Sequence, residues 1–371
     1  MENYTINSFE KSIREISLEK NIYIFGAGVY GKMFGDFFNQ CHISWSGFID
    51  NNVELYHLNI CDKKVYALND ISNKSDIVVL ISLSFLLYSA EVEIIKKQLI
   101  NSDVIQENIL YFGECYELRN DIMHTLNKPE KYLSKNKELK NIFKGKRCFI
   151  IGNGPSLRIE DLNKLSKEIS MGCNGIIDLT DRTEWRPTCF FCEDHIFVKN
   201  RISNRKDLEN ILNRCDYAFT TFKTDLHNKY GLCYDTLFYL QSDLPSSDLK
   251  FSEDICDRVF SSGTTLYSMF QVAVYMGIKE VYLLGVDCSF RKERCCDGTV
   301  KINEHIKNHM ELMDQYTEGI YNVDLIMKGY SSFKNFANNH GIKVYNATRG
   351  GKLELFERVD LDSLFYEKFK G

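Results

Sequence analysis

The sequence contains no uninterrupted apolar run approaching the roughly 18 residues that a membrane-spanning helix requires. Its first residues lack a basic region followed by an apolar stretch, so we expect no signal peptide. The formal net charge is only −5 over 371 residues, which gives no general attraction to nucleic acid. We therefore expect a cytoplasmic protein with no nucleic-acid partner and no membrane span. Peripheral membrane association and a homo-oligomer stay open.

Metal-binding motifs are also lacking. The 13 cysteines are scattered, many of them within apolar runs, which is typical of reduced, buried thiols rather than of a disulfide framework. Cys189 and Cys192 have C-x-x-C spacing, but no second pair follows them, and this disfavours a zinc site. No H-E-x-x-H sequence occurs either. The sequence therefore predicts no metal-ligating residues.

What the chain does contain is a glycine-rich turn between an apolar run and an amphipathic segment. Residues 148–151 are apolar and predict a buried strand, Gly152-Asn153-Gly154-Pro155-Ser156 predicts a tight turn, and a helical spacing of apolar residues follows. Glycines let the backbone approach an anion, and a helix N-terminus adds partial positive charge. We interpret Gly152, Asn153, Gly154 and Ser156 as a phosphate-binding turn. A βα turn that binds nothing is the alternative.

A second glycine motif lies near the N-terminus. Gly26-Ala27-Gly28-Val29-Tyr30-Gly31 matches G-x-G-x-x-G after a predicted strand, and Asp50 follows Gly31 by 19 residues, where a dinucleotide-binding fold places its ribose-binding carboxylate. Residues 1–113 therefore predict a Rossmann-like, nucleotide-binding-like domain. A bound nucleotide or sugar nucleotide, NAD, and a scaffolding role all stay open for this domain.

The remainder of the chain predicts a helical linker at residues 114–145 and a second domain at 146–371. Predicted strands alternate with helices, so we expect an α/β protein of two Rossmann-like domains whose parallel sheets are flanked by helices. Ligands bind such sheets at the carboxyl ends of the strands. The polar residues at the predicted strand ends and turns are thus the candidates for a site: Asn153, Asn174, Asp194, Ser262, Asp287 and Asn346.

Four stretches of the second domain resemble known families. Gly152-Asn-Gly-Pro-Ser-Leu157 resembles the opening turn of bacterial CMP-sialic-acid-dependent sialyltransferases and of the 6-hydroxymethylpterin pyrophosphokinase-like family, which includes the motility-accessory-factor glycosyltransferases. The other stretches are Met171-Gly-Cys-Asn174, the segment from Ser261-Ser-Gly263 to Asp287, and Tyr345-Asn-Ala-Thr-Arg-Gly-Gly-Lys-Leu-Glu354. The resemblance spans about residues 146–360 and implies a nucleotide-binding transferase domain. It also implies that Ser262, Gly263 and Thr264 help to hold phosphate and that Asn174 contacts the nucleotide.

The sequence departs from the sialyltransferase pattern at two places. Cys288-Ser-Phe-Arg291-Lys292 stands where that family has phosphate-binding tyrosines, so Arg291 or Lys292 would take their role by charge. The family's catalytic histidine has no direct counterpart. His305 and His309 are spaced i, i+4 in a predicted helix over 304–338, broken near Gly319 and Gly329. We predict His309, ahead of His305, as the catalytic base, with Asp194 as a further catalytic residue.

These observations predict a glycosyltransferase that transfers a sugar from a nucleotide-activated donor, such as a CMP-linked sugar, in surface-glycan or flagellin glycosylation. Its partners would be the nucleotide sugar and a glycan or protein acceptor. Mg²⁺ is compatible with this function but is not required by it. One alternative is a Mg²⁺-dependent pyrophosphokinase or other nucleotide-dependent transferase, in which Asp194 and Asp287 would be the natural ligands of Mg²⁺. A non-catalytic scaffold is the other alternative.

Overall fold

The structure, a computed structural model, describes residues 5–83, 85–112, 115–127, 129–243, 249–295, 299–310 and 319–369. The chain divides into two compact units, one formed mainly by residues 5–127 and the other mainly by residues 129–369. None of the helices in these described ranges has the length and apolarity needed to cross a bilayer.

The first unit is a parallel sheet with helices. Its elements in chain order are α1 (Ile6–Glu19), β1 (Asn21–Phe25), α2 (Val29–Gln40), β2 (Gly47–Ile49), β3 (Asn59–Ile60), β4 (Lys63–Tyr66), β5 (Ile77–Ile81), α3 (Phe85–Ile100), β6 (Ile109–Tyr111) and α4 (Tyr116–Asn127). The strand order is β3-β4-β2-β1-β5-β6, and all pairs are parallel except β3 with β4. Short 3₁₀-helices lie in several of the connections, at Val53–Leu55, Leu68–Asp70, Lys74–Asp76 and Gln106–Asn108.

The second unit begins with α5 (Glu130–Leu133) and contains a larger sheet. Its further strands are β7 (Arg147–Ile151), β8 (Ile169–Cys173), β9 (Cys189–Cys192), β10 (Tyr217–Thr221), β11 (Leu237–Leu240), β12 (Ser242–Asp243), β13 (Val259–Phe260), β14 (Glu280–Leu284), β15 (Lys292–Arg294), β16 (Val300–Ile302), β17 (Lys343–Asn346) and β18 (Glu357–Arg358). Its further helices are α6 (Ile159–Lys164), α7 (His195–Arg201), α8 (Arg205–Leu212), α9 (Leu226–Tyr230), α10 (Thr265–Tyr275) and α11 (Val323–Asn339). The 3₁₀-helices of this unit are Ser134–Leu139, Asn174–Asp181, Phe222–Thr224 and Asp362–Phe369.

The large sheet is parallel throughout and has the strand order β11-β10-β9-β8-β7-β14-β17-β18. Successive side chains of β7 enter opposite cores, Cys148 and Ile150 on one face and Phe149 and Ile151 on the other. Burial on both faces explains why β7 is a continuous apolar run. From β7 the chain adds β8 to β11 on one side, and then β14, β17 and β18 on the other side of β7. The strand order therefore reverses between β7 and β14, which is the position where open α/β sheets bind ligands. The predicted α/β class is confirmed.

The stretch 114–145, predicted as a linker, contributes to both units. Helix α4 contacts α1 and α2 in the first unit. The 3₁₀-helix Ser134–Leu139 contacts α5 and β11 in the second. Its Asn136 is fully buried and donates hydrogen bonds of 2.9 Å to the carbonyl oxygens of Tyr239 and Ile255. The latter half of this stretch is therefore part of the second core.

The predicted helix over 304–338 is wrong in its first part. Among the described residues the helix is Val323–Asn339, and residues 303–310 form turns and bends; residues 311–318 lie outside the described residues. The backbone N–H groups of residues 303 and 310 donate to the carbonyl oxygens of Arg291 and Asn153 instead of to a helical partner. Gly329 does not break α11. Its missing side chain makes room for Ser262, which a Cβ atom at residue 329 would strike.

Candidate active site

A cavity of about 350 Å³ lies at the carboxyl ends of the central strands of the large sheet. It is lined by the turn after β7, by residues that directly follow β8, β9, β10 and β14, and by the start of α10. Nine of the sequence-predicted site residues line it: Gly152, Asn153, Gly154, Asn174, Asp194, Gly263, Thr264, Asp287 and His309. The strand-end rule thus locates the cavity.

The turn after β7 is tied to the neighbouring strand end. The N–H of Gly152 donates to the carbonyl oxygen of Leu284 at 2.8 Å, and the N–H of Gly154 donates to that of Gly285 at 2.9 Å. The Oγ of Ser156 donates to Oδ2 of Asp287 at 2.7 Å. These backbone N–H groups are therefore used within the protein and do not converge on an external anion. Ser156 does not line the cavity but positions the carboxylate that does.

Asp287 lies against this turn in a tightly limited space. A Cβ atom at Gly154 would overlap its Oδ2, and a Cβ at Gly351 would crowd its backbone. Burial raises the pKa of the Asp287 carboxyl, and the hydrogen bonds from the side chain and backbone of Ser156 oppose that rise. Both glycines are thus required for the approach of one acidic side chain to the cavity.

The two asparagines lie on adjacent strand ends. Asn153 donates from Nδ2 to the carbonyl oxygen of Cys173 at 3.1 Å, while its buried Oδ1 has no hydrogen-bond partner among the described residues. Asn174 has a left-handed backbone, with φ of 49°, which asparagine tolerates better than most residues. Its Oδ1 accepts a hydrogen bond from the N–H of Asp194 at 3.5 Å. The Oδ1 of Asp194 in turn accepts from the N–H of Ile196 at 2.8 Å and caps α7.

The segment before α10 brings a helix N-terminus to the cavity. Gly263 has a φ of 77°, and Thr264 caps α10 by accepting a hydrogen bond from the N–H of Leu266 at 3.4 Å. Both residues line the cavity. The partial positive charge of this N-terminus favours an anionic group there. Ser262 is fully buried behind the segment and does not line the cavity.

The structure separates the two predicted histidines. His309 lines the cavity, whereas His305 is exposed and does not. They share no helix face, because residues 303–310 are not helical. The N–H of Met310 donates to the carbonyl oxygen of Asn153 at 2.9 Å, so the segment that carries His309 is held against the glycine turn.

Three further predicted residues lie away from the cavity. Asn346 is buried and bonds within its own loop, donating from Nδ2 to the carbonyl oxygen of Leu353 at 2.7 Å. Arg291 and Lys292 are absent from the cavity lining in the described part of the chain. From this segment the aromatic residue Phe290 lines the cavity instead. The rings of Phe290 and Tyr321 stack with centroids 4.6 Å apart, and both residues line the cavity.

Sequence reasoning missed Glu193, which directly follows β9. Its Oε2 accepts a hydrogen bond from the Oγ of Ser268 at 3.1 Å, and no hydrogen bond reaches its buried Oε1 from the part of the chain that the structure describes. Burial raises the pKa of this carboxyl to about 7, although the hydrogen bond from Ser268 and the charge of Lys223 both lower it. The available signal was the pair Glu193-Asp194 at a strand end, of which only Asp194 was predicted.

In the first unit, the predicted nucleotide-binding turn forms a hydrogen bond with the acidic residue predicted to bind ribose, Asp50. The carboxylate of Asp50 accepts hydrogen bonds from the N–H groups of Ala27 at 2.7 Å and Asn52 at 2.8 Å. The hydroxyl of Ser82 donates to the carbonyl oxygen of Phe25 at 2.9 Å beneath the turn. Both oxygens of Asp50 therefore accept backbone hydrogen bonds.

Comparison with known proteins gives one family match. Residues 120–293 match the family model described as 6-hydroxymethylpterin diphosphokinase MptE-like. This confirms the resemblance predicted from the glycine turn and the motifs that follow it. A search of curated proteins finds no match to the chain.

Among solved structures, the MAf glycosyltransferase from Magnetospirillum magneticum AMB-1 is 13% identical, with a TM-score of 0.36. The match covers 98% of this chain and 63% of that one, so the chain spans less than two thirds of that protein's length. The sialyltransferase CstII from Campylobacter jejuni, in complex with the substrate analogue CMP-3FNeuAc, is 16% identical, with a TM-score of 0.33 and coverages of 58% and 86%. The sialyltransferase CST-II with a trisaccharide acceptor and CMP is 14% identical, with a TM-score of 0.34 and the same coverages.

Proposed function

We propose that the chain is a transferase that binds a nucleotide-activated sugar in this cavity and passes the sugar to a hydroxyl group of a glycan or protein acceptor. The observation that carries the proposal is the combination of the α10 N-terminus with unpartnered polar atoms at neighbouring strand ends in one cavity. Such a site offers partial positive charge for a phosphate and hydrogen-bonding groups for sugar hydroxyls. A CMP-linked donor and a cytoplasmic role in surface-glycan or flagellin glycosylation are part of this proposal.

The charges of the cavity set the conditions for binding phosphate. Among the described lining residues the acidic side chains are Glu193, Asp194 and Asp287, and the basic side chain other than His309 is Lys223. A phosphate therefore binds favourably only near α10 and Lys223, or with a cation between it and the carboxylates. The leaving nucleoside phosphate gains negative charge during transfer, so stabilising it is the main electrostatic task of the site.

Proton transfer falls to His309 in this mechanism. It lies in the cavity on a segment tied to the glycine turn, and neutral imidazole is suited to accept a proton from an acceptor hydroxyl near neutral pH. Asp194 lines the same cavity and would orient the sugar, with the Oδ1 that caps α7 already engaged.

The second candidate is a Mg²⁺-dependent pyrophosphokinase, and the name of the matched family favours it. Within the described residues, no group of three or more His, Cys, Asp or Glu side chains is placed to hold a metal ion. A metal would thus have to be held mainly by the phosphates of the nucleotide and by water, as Mg²⁺ often is.

A thermal-shift panel separates the two candidates. CMP, CDP, UDP, GDP and ATP would each be added with and without Mg²⁺, and hits followed by assay of sugar transfer or diphosphate transfer. A nucleotide at 100 times its Kd raises the free energy of unfolding by about 2.7 kcal/mol, which is readily detected. Stabilisation by a pyrimidine nucleotide without Mg²⁺ supports sugar transfer. Stabilisation by ATP with Mg²⁺ alone favours the pyrophosphokinase, and no stabilisation by any nucleotide contradicts both.

A further inference from the structure

Among the described residues that line the cavity, two buried polar atoms at the ends of β9 and β10 have no hydrogen-bond partner. They are Oε1 of Glu193 and Oγ1 of Thr221. Both residues line the cavity, and Thr221 is 2% exposed. A buried polar group without a hydrogen-bond partner destabilises the folded protein. A ligand that supplies the missing hydrogen bonds removes that destabilisation.

The sheet brings these two residues to adjacent strand ends. Cys192 of β9 pairs in register with Thr220 of β10. Glu193 directly follows β9 and Thr221 is the last residue of β10, so both come immediately after this registered pair. Neighbouring strands are separated by about 4.8 Å. The hydroxyl of Thr220, by contrast, is satisfied by the carbonyl oxygen of Cys192 at 2.8 Å. Of these two threonines, Thr221 lines the cavity and Thr220 does not.

Polar and charged groups from several elements surround the carboxylate of Glu193. Ser268 of α10 holds its Oε2, and the positive charge of Lys223 acts on it from the segment after β10. Asp194 follows it in the chain, and the thiols of Cys173 and Cys192 lie within electrostatic range of both carboxylates. Within the described part of the chain, Oε1 is the oxygen of Glu193 that has no hydrogen-bond partner.

We infer that Glu193 and Thr221 form a subsite for a pair of adjacent sugar hydroxyls, one donating to the carboxylate and the other bonded to the threonine hydroxyl. The inference rests on the proposed function and names the group that the cavity recognises. The ribose of the nucleotide and the transferred sugar both carry such hydroxyls, so either is the source of the pair.

The ionisation of Glu193 predicts the direction in which ligand affinity changes with pH. An ionised carboxylate accepts a hydrogen bond from a hydroxyl, so binding favours the ionised form and lowers its pKa. Since the pKa without ligand is about 7, affinity rises with pH across neutrality. Dissociation constants at pH 6 should exceed those at pH 8 by about tenfold. An anion placed beside Glu193, or a protonated His309 that binds phosphate, would give the opposite sign.

The test is calorimetric titration of the full chain with CMP, CMP-N-acetylneuraminic acid, UDP and UDP-N-acetylglucosamine at pH 6 and pH 8. We expect about tenfold weaker binding at pH 6 in the native protein and no such change in Glu193→Gln. Thr221→Val should weaken binding several-fold and keep the pH dependence. If the free nucleotides CMP or UDP already bind more weakly at pH 6, the hydroxyls belong to ribose. If only the nucleotides that carry a sugar bind more weakly at pH 6, the hydroxyls belong to the transferred sugar. Equal affinity at both pH values, or tighter binding at pH 6, overturns the inference.

One further variant and one further measurement test the role of the Glu193 carboxyl directly. Ser268→Ala removes a hydrogen bond that lowers the pKa of Glu193, so the loss of affinity should begin at higher pH than in the native protein. If neither these four ligands nor the other nucleotides of the thermal-shift panel bind, the proposed function fails. The subsite is then tested by itself, by following the titration of the Glu193 carboxyl by ¹³C NMR with methyl riboside. A lowered pKa in the presence of the riboside supports the subsite, and an unchanged pKa overturns it.

Discussion

The carboxylate of Asp287 occupies the space that a side chain at Gly154 would fill. A Cβ atom at residue 154 would overlap Oδ2 of Asp287, and Ser156 donates a hydrogen bond of 2.7 Å to that same oxygen. The glycine-rich turn is thus shaped around an acidic side chain of the neighbouring strand. Its glycine serves the close approach of Asp287 rather than the approach of a phosphate to the backbone.

Gly154→Ala should therefore displace Asp287 and weaken nucleotide binding by at least about tenfold, since a misplaced charged hydrogen bond costs about 1.5–3 kcal/mol. Ser156→Ala removes the hydrogen bond without adding bulk and should cause a smaller loss. Calorimetric titration gives the affinities, and the melting temperature of each variant shows that it is folded. A folded Gly154→Ala protein with native affinity would contradict this account.

The first unit should be dispensable for nucleotide binding, provided the cut respects the second core. A chain beginning at residue 129 retains Asn136, which is fully buried, together with the buried Leu133 and Leu139. We expect it to fold and to bind nucleotide with native affinity. A chain beginning at residue 140 loses all three side chains and should be unstable or insoluble. Circular dichroism and titration of both chains check this, and a folded chain from 129 that binds nothing would mean that the first unit completes the site.

Most strands of both units could be predicted from the sequence because short apolar runs bounded by polar or glycine residues are characteristic of parallel sheets buried on both faces. The runs at 77–81 and 148–151 are examples, and every residue in them is buried. The position of the cavity could be predicted from the sequence for a related reason. In a parallel sheet all strands end at the same edge, so polar residues that follow different strands come together there.

The predictions that failed concern features that depend on contacts between residues distant in sequence. The i, i+4 spacing of His305 and His309 predicted a helix, but the N–H of Met310 bonds to Asn153, far away along the chain. Glu193 and Asp194 are adjacent acids, and the sequence does not say which one caps α7 and which one faces Ser268. That distinction follows from the packing of α10 against the sheet.

The ion-pair cluster of Asp161, Lys164, Arg349 and Asp362 contains one buried carboxylate whose loss of its arginine partner should be strongly destabilising. Arg349 forms a bidentate pair with Asp161, at 2.7 and 2.9 Å, and Asp161 is 2% exposed. Arg349→Ala leaves this buried carboxylate without its main partner and should lower the free energy of unfolding by about 3 kcal/mol. Lys164→Ala removes a more exposed member of the same cluster and should cost less than about 1 kcal/mol. Urea denaturation monitored in the second unit gives both values, and equal losses would contradict the assigned roles.

The same cluster should respond to acid. Lys164 and Arg349 hold the pKa of Asp362 down to about 2. Because this folded pKa is lower than the unfolded value of about 3.9, the contribution of Asp362 to stability is present above about pH 4 and is lost as the pH falls toward 2. Asp362→Asn should show a shallower loss of stability over that interval in a series of denaturation curves. An identical slope in the variant and in the native protein would contradict the ion pairing.

The two histidines give the sharpest test of the proposed chemistry, because they are close in sequence and differ in position. His309 lines the cavity and His305 is exposed outside it. Loss of a positioned base lowers the rate by about 10²- to 10⁴-fold, so His309→Ala should reduce turnover by that factor and leave nucleotide affinity nearly unchanged. His305→Ala is the matched control and should keep native turnover. Both variants would be assayed for release of nucleotide from a sugar nucleotide, with and without EDTA. A large effect of His309→Ala that persists in EDTA supports sugar transfer with a histidine base. Loss of activity in EDTA together with full activity of His309→Ala would remove His309 from the mechanism, since a metal-bound phosphate then supplies the electrostatic assistance and another group takes the proton.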